Sequence, residues 1–384
     1  MSPFSQPAVD IASSESLAAA LQRLAPFSDV AVDLEADALH AFKARLCFVQ
    51  LGTDQDIFLL DTLNREVDAS RLSPLMTSST CTKFFHAAGG DLQFLAEVGI
   101  RVNNLFDTHR AATLLGWPKV GLADLVKERL GVELKKEHQQ SDFSLRPLPP
   151  AMREYIADDV RYLCEVGRQV RAECVKADIM EEVNLDCHRA CNEATERPDA
   201  ALNFNPKLSK TAVPKERWWM AIAFARQLHV FRLRWAEASN VPMGRMLSNA
   251  AIAEIATHLP QDLKSLGKTY GVRGPFVREH GEEVLQTLQQ FLLRAKQGEF
   301  DASGIEKLDR DPRRRKREDS LRVFRAEKAT QRHVTPSVVL PNPLLELLAA
   351  SPPANVEALA QLPYLGEKRA RLYGEEIVSL LSSI

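Results

Sequence analysis

The stretch Asp29-Val30-Ala31-Val32-Asp33-Leu34-Glu35 decides how this chain is read. Apolar and β-branched residues alternate along it, the pattern of a strand. Side chains two apart on a strand project to the same face, so Asp33 and Glu35 stand side by side. Two anions so placed repel each other and need protons or a cation. Oxygen-only ligation suits Mg²⁺ or Mn²⁺. Many surface strands carry an Asp-x-Glu pair, so its meaning depends on what lies around it.

Outward from this strand, Ser14 to Leu24 reads as a helix ahead of it. Arg45 to Leu51 and Asp56 to Asp61 read as two further strands, and the short joints suit antiparallel neighbours. Thr82 to His86 is a fourth strand, ended by Gly89-Gly90 before a helix that begins at Asp91. A strand-like Leu105-Phe106-Asp107 leads into a helix through Leu115, and Gly121 to Leu130 is another helix. Ser141 to Pro150 is an extended, proline-marked loop, and a long helix follows from Ala151 through Tyr155, Asp159 and Leu163. The expectation is a mixed sheet flanked by helices, an α/β layer architecture. Asn203 to Pro214 reads as a linker, and residues 215–295 show apolar positions at helical spacing throughout.

Two more segments carry acids. In His86-Ala87-Ala88-Gly89-Gly90-Asp91 the aspartate sits at a helix start, where a plain first-turn acid is worth about 1 kcal/mol. His86 is read as a buried histidine at a strand end, because a site for hard metals does not need imidazole. In Tyr155-Ile156-Ala157-Asp158-Asp159-Val160, Tyr155 and Asp159 are four apart and share a helix face. Asp158, three from Tyr155, competes for the same role. Four acids and a tyrosine thus come from two strand ends and two helices. Two cations roughly 3.5–4 Å apart could then clamp a scissile phosphate, with Tyr155 orienting the attacking water.

Here the residues resemble a known family. The three segments look like the motifs of DEDD-superfamily exonucleases, and Tyr155 places them in the tyrosine-bearing subgroup. Gln139 to Leu148 followed by Tyr155 to Leu163, with Leu130 to Lys136 before them, resembles ribonuclease D. The family usually has tryptophan where this chain has Phe143. The resemblance implies an RNase H-like exonuclease fold, with Asp33, Glu35, Asp91 and Asp159 binding two divalent metal ions (Mg²⁺ or Mn²⁺) and Tyr155 assisting the water. Arg232 to Pro242, with Leu247, Ile255 and Pro260, resembles an HRDC domain. Leu344 to Leu381, with Leu359, Leu362 and Gly366, resembles a second, shorter one. The implied order is an exonuclease domain with trailing helices over 1–200, a first HRDC domain over 211–295, a basic charged linker over 296–335 and an HRDC-like domain over 336–384. The implied activity is that of a 3′→5′ exoribonuclease in tRNA 3′ maturation and structured-RNA processing, with trailer-bearing tRNA precursors as partners.

Composition agrees with a large soluble protein. The 384 residues suit two or three domains, and 45% hydrophobic with 26% charged residues is ordinary for a globular chain. No apolar run of about 18 residues suggests a membrane span, and no basic, then apolar N-terminus suggests a secretory signal. The six cysteines form no CxxC pair, which suits reduced thiols in the cytoplasm. Cys187-His188 and Cys191 make at most half a zinc site and read as ordinary helix residues. Residues 1–200 carry 21 basic and 31 acidic side chains, whereas residues 201–384 carry 28 and 20. An acidic front suits metal and a basic back suits polyanion. The run Arg313-Arg314-Arg315-Lys316-Arg317 is either a phosphate grip or a solvated linker. Phe42, Phe48 and Phe143 are possible wedges for the last bases. Two other readings stand beside the first. A DNA 3′→5′ exonuclease would use the same acids, since only 2′-hydroxyl contacts separate the polymers. A non-catalytic RNA-binding scaffold would have lost at least one acid, and this chain keeps all of them.

Overall fold

The computed structural model describes residues 4–135, 137–196, 204–209, 212–214, 217–297 and 312–384. Lys136, residues 298–311 of the expected charged linker and parts of the 203–214 linker lie outside the described residues. The chain divides into two compact units. One comprises Met1–Ala36, Leu46–Glu196 and Asp311–Ile384, and the other Asp37–Arg45 with Arg197–Arg310.

The first unit is built on a six-stranded mixed sheet. Its strands are β1 (Ala8–Ile11), β2 (Asp29–Ala36), β3 (Leu46–Gly52), β4 (Ile57–Asp61), β5 (Thr82–Phe85) and β6 (Leu105–Asp107), in the order β1-β4-β3-β2-β5-β6. β2, β3 and β4 are antiparallel neighbours, as their short joints require, while β5 and β6 run parallel to β2. β1 is absent from the sequence reading. It has four residues, AVDI, and exists through its parallel pairing with β4.

Helix α1 (Ser14–Leu24) starts at a capping box between Ser13 and Ser16 and buries Leu17, Ala20 and Leu24 on one stripe. α2 (Ser73–Thr77), α3 (Gly89–Glu97), α4 (Thr108–Leu114) and α5 (Leu122–Leu130) follow between and after the strands. The long helix expected from Ala151 is instead α6 (Pro150–Arg161), which ends at Tyr162, then α7 (Leu163–Lys176) and α8 (Met180–Glu196). α6 lies across β2, β3 and β4 at close range. A Cβ at Gly52 would sit 2.8 Å from the Val160 carbonyl oxygen, so glycine lets this helix approach the sheet.

The second unit is helical, as expected: α9 (Trp218–Ala238), α10 (Met243–Met246), α11 (Asn249–His258), α12 (Leu263–Lys268) and α13 (Gly274–Lys296). Phe224, Leu228, Trp235, Ile252, Ile255 and Phe291 form its core. The buried Arg232 guanidinium donates to the Leu247 carbonyl at 2.9 Å and to Asn249 Oδ1 at 2.7 Å.

The C-terminal helices are α14 (Pro312–Arg332), α15 (Pro336–Val339), α16 (Asn342–Ala350), α17 (Val356–Ala360) and α18 (Glu367–Ser382). From residue 312 onward this corrects the reading of 296–335 as linker. α14 is a 21-residue helix whose Leu321, Phe324 and Ala329 are buried in the core of this module. The basic run lies on its first turns. Arg317 is buried and donates to the Ala349 carbonyl, Arg314 pairs with Glu318 at 3.3 Å, and Arg315 and Lys316 face outward. The module packs on the sheet domain within the same unit. Gly366, at φ 84°, holds a backbone conformation there that side-chain-bearing residues rarely adopt. The Lys368 backbone N–H donates to Glu181 Oε1 at 3.0 Å, and Thr335 Oγ1 donates to the Leu114 carbonyl at 3.0 Å.

Candidate active site

Strand β2 presents Asp33 and Glu35 to the face that α6 crosses, and a bulge follows between Glu35 and Ala36. One helical turn of α6 separates Tyr155 from Asp159, and Ile156 and Val160 are buried against the sheet. The acids therefore converge. Asp33, Glu35 and Asp159 each offer a carboxylate oxygen, and these oxygens lie within 4.8 Å of one another. They line a cavity of about 310 Å³ together with Tyr155, His86 and Lys135.

Of the two neighbouring aspartates on α6, only Asp159 joins the trio. Asp158 turns to Arg161, which donates to it at 2.7 Å while also holding Glu154 at 2.6 Å. Asp91, in the first turn of α3, stands outside the trio but is close enough to raise the pKa of both Asp33 and Glu35.

The turn that delivers Asp91 depends on Asp107. Its Oδ1 accepts the N–H of Ala87 at 3.0 Å, and its Oδ2 that of Ala88 at 3.0 Å. Oδ1 also caps α4, accepting from His109 at 2.9 Å and Arg110 at 3.2 Å. Ala87 is held at φ 61°, a conformation an alanine adopts only when its surroundings enforce it.

The electrostatics of the cluster are those of buried, crowded acids. Burial, then Asp159, Asp91 and Glu35, push Asp33 well above the ordinary carboxylate range. Burial, then Asp159 and Asp91, raise Glu35 to about 9. Asp91 rises to about 7 through burial and Asp107, and Asp159 to about 7 through burial and Asp158. Among the described residues lining the cavity, Lys135 is the single lysine or arginine. Beside Asp33 across the strand pair, the Gln50 amide is fully buried, and neither its oxygen nor its nitrogen has a partner among the described residues. An all-oxygen donor set, a surplus of negative charge and open polar capacity fit a hard divalent cation.

Tyr155 keeps its phenolic proton, because burial and the charges of Asp159, Glu35 and Asp33 all oppose ionisation. Its ring stacks on Phe143 at 6.3 Å between centroids and meets His138 edge-on at 5.9 Å. Two of the three residues considered as possible wedges are buried in the core instead. Phe143 is buried behind Tyr155, and Phe48 is buried beneath the Arg146 guanidinium, 4.2 Å from its ring centre. Phe42 lies in the other unit. Nothing in the sequence marks His86 and Lys135 as site residues. His86 reads there as a core histidine, and Lys135 lies in the Leu130 to Lys136 stretch that carries the family resemblance but is itself given no role. Cys187 and Cys191 belong to no metal-binding cluster among the described residues, and Cys187 Sγ accepts the Asp107 N–H at 3.4 Å.

A carboxylate cluster on a mixed sheet, faced by a tyrosine-bearing helix and followed by helical modules, defines a 3′-5′ exonuclease. Comparison with known proteins agrees, since residues 9–173 match the 3′-5′ exonuclease family, and residues 222–288 and 315–381 each match the HRDC domain. Ribonuclease D of Jannaschia sp. is 32% identical over 265 residues, covering 67% of this chain and 67% of that protein. Ribonuclease D of Gluconacetobacter diazotrophicus is 28% identical over 383 residues, covering 96% and 92%. The crystal structure of Escherichia coli RNase D shares the fold, with a TM-score of 0.69 over 98% of this chain and 99% of that one at 22% identity. The chain belongs to the ribonuclease D family.

Proposed function

We propose that this 3′-5′ exoribonuclease removes nucleotides one at a time from RNA 3′ ends at the Asp33, Glu35, Asp91 and Asp159 centre, with two divalent metal ions, Mg²⁺ or Mn²⁺, as cofactor. The observation that carries the reading is the convergence of three carboxylates beside a protonated tyrosine in one cavity. Asp33, Glu35 and Asp159 would hold the cations, with Asp91 completing the set. Bound there, such ions supply Lewis acidity toward the phosphate and lower the pKa of a coordinated water. The remaining work belongs to the chain. The Tyr155 hydroxyl, fixed by Phe143 and His138, donates to and orients the attacking water. At about 310 Å³ the cavity is at the small end of ligand sites, which suits a single terminal nucleotide.

Transfer RNA precursors with 3′ trailers are the proposed substrates, and the cytoplasm the proposed location, in keeping with six cysteines that form no disulfide. The basic C-terminal half, through outward residues such as Arg315 and Lys316, would grip the RNA body. The test is a 5′-labelled RNA with an unpaired 3′ tail, incubated with Mg²⁺ or Mn²⁺ beside an Asp33→Asn variant and an EDTA control. A ladder shortening from the 3′ end and lost in both controls is expected. Shortening that persists in Asp33→Asn would remove the carboxylate centre from the reaction.

A further inference from the structure

His86 directly follows β5 and opens into the same cavity as the carboxylates. Its ring orientation and tautomer follow from its neighbours. Thr108 is fully buried, and its hydroxyl has one hydrogen, which it donates to the Phe85 carbonyl at 3.0 Å. His86 Nδ1 lies 2.9 Å from the same hydroxyl oxygen, so Nδ1 carries the proton and donates. His109 packs edge-on against the ring at 5.6 Å. Nε2 is then a bare lone pair on the cavity-lining ring, with no hydrogen bond from the described residues. Burial lowers the pKa of the imidazole to about 4, against an opposing pull from Asp107, so the ring is neutral at pH 7. The site therefore contains a fixed, neutral hydrogen-bond acceptor that the hydrolytic machinery does not use.

An acceptor recognises a donor. At neutral pH the phosphates of RNA offer none, and the donors on the bases differ from one nucleotide to the next. The ribose hydroxyls are the donors that every ribonucleotide shares, and the 2′-hydroxyl is what marks RNA. We propose that His86 Nε2 accepts a hydrogen bond from the hydroxyls of the terminal ribose, making His86 a specificity residue for a ribose chain end. The proposal rests on the reading that this cavity holds the terminal nucleotide. It also gives the RNA and DNA alternatives a residue on which to differ.

The experiment measures first-cleavage kcat/KM on one RNA sequence ending in a ribonucleotide, a 2′-deoxynucleotide or a 3′-deoxynucleotide. Wild type should favour the ribose end over at least one deoxy end by about five- to tenfold, the worth of one neutral hydrogen bond. His86→Phe keeps a ring but removes the acceptor, and should bring that ratio close to one. His86→Gln can place an amide oxygen where Nε2 was and should restore part of the preference. His86→Asn can still donate to Thr108 but reaches no further, and replaces the phenylalanine variant if that one does not fold. A preference that survives in folded His86→Phe or His86→Asn overturns the proposal, as does a wild type indifferent to both hydroxyls. Failure of wild type to shorten even the all-ribose RNA would instead strike the reading beneath it.

Discussion

Replacing Asp91 by asparagine should make the metal-free protein more stable while abolishing its activity. Burial and Asp107 push the Asp91 carboxyl from 3.8 to about 7. At about 1.4 kcal/mol per pH unit, that displacement sets a ceiling of about 4 kcal/mol at pH 8. Water at the cavity mouth screens part of it, and asparagine forfeits a favourable interaction of about 0.3–1 kcal/mol with the α3 N-terminus. A gain of about 1–3 kcal/mol remains. Because the folded-state pKa is raised, the carboxyl is no burden at pH 4. Its cost to the fold accrues as pH rises from 3.8 to about 7 and is constant above that. The advantage of the variant should therefore be small at pH 4.5 and full at pH 8. Thermal melts after EDTA treatment would show it as roughly 2–12 °C in Tm at pH 8, at about 2–4 °C per kcal/mol. Added Mg²⁺ or Mn²⁺ should raise the Tm of wild type more than that of the variant, because a ligand that binds the folded state stabilises it. A variant that melts at or below wild type at pH 8, or gains equally at both pH values, would refute the picture of uncompensated acids.

Tyr155→Phe keeps the stacking on Phe143 but removes the hydroxyl, so steady-state kinetics should show kcat falling about 100-fold with KM little changed. Asp107→Ala strands four backbone N–H groups at the two turns it joins, and urea melts should show a loss of about 2–4 kcal/mol. Arg315→Ala with Lys316→Ala should weaken RNA binding and flatten its salt dependence, by up to about one slope unit for each phosphate no longer neutralised. Arg317→Ala should act mainly on the thermal stability of the C-terminal module, because its guanidinium is buried against the Ala349 carbonyl. Equal effects of these two changes on the salt slope would contradict the helical placement of the run.

Backbone periodicity is legible in the letters alone. Two residues apart on a strand means one face, so Asp33 and Glu35 pair whatever the fold around them. Four apart on a helix means one face, so Tyr155 and Asp159 belong together, and the short joints between β2, β3 and β4 require antiparallel neighbours. What depends on segments far apart in the chain is settled by packing. Asp159 rather than Asp158 enters the site because Arg161 engages the latter. Asp91 stands just outside the trio, on a turn held by Asp107. The four residues of β1 carry too little pattern to be seen without β4 beside them. An expected linker becomes α14, because Leu321, Phe324 and Ala329 find a core that is invisible along the charged sequence around them. His86 shows the same limit: whether a strand-end histidine fills a core or faces a cavity depends on Thr108, 22 residues away, and on the helix that carries it. Local geometry repeats every two or four residues and can be counted along the chain, whereas proximity across the fold is set by packing among segments that the letters do not connect.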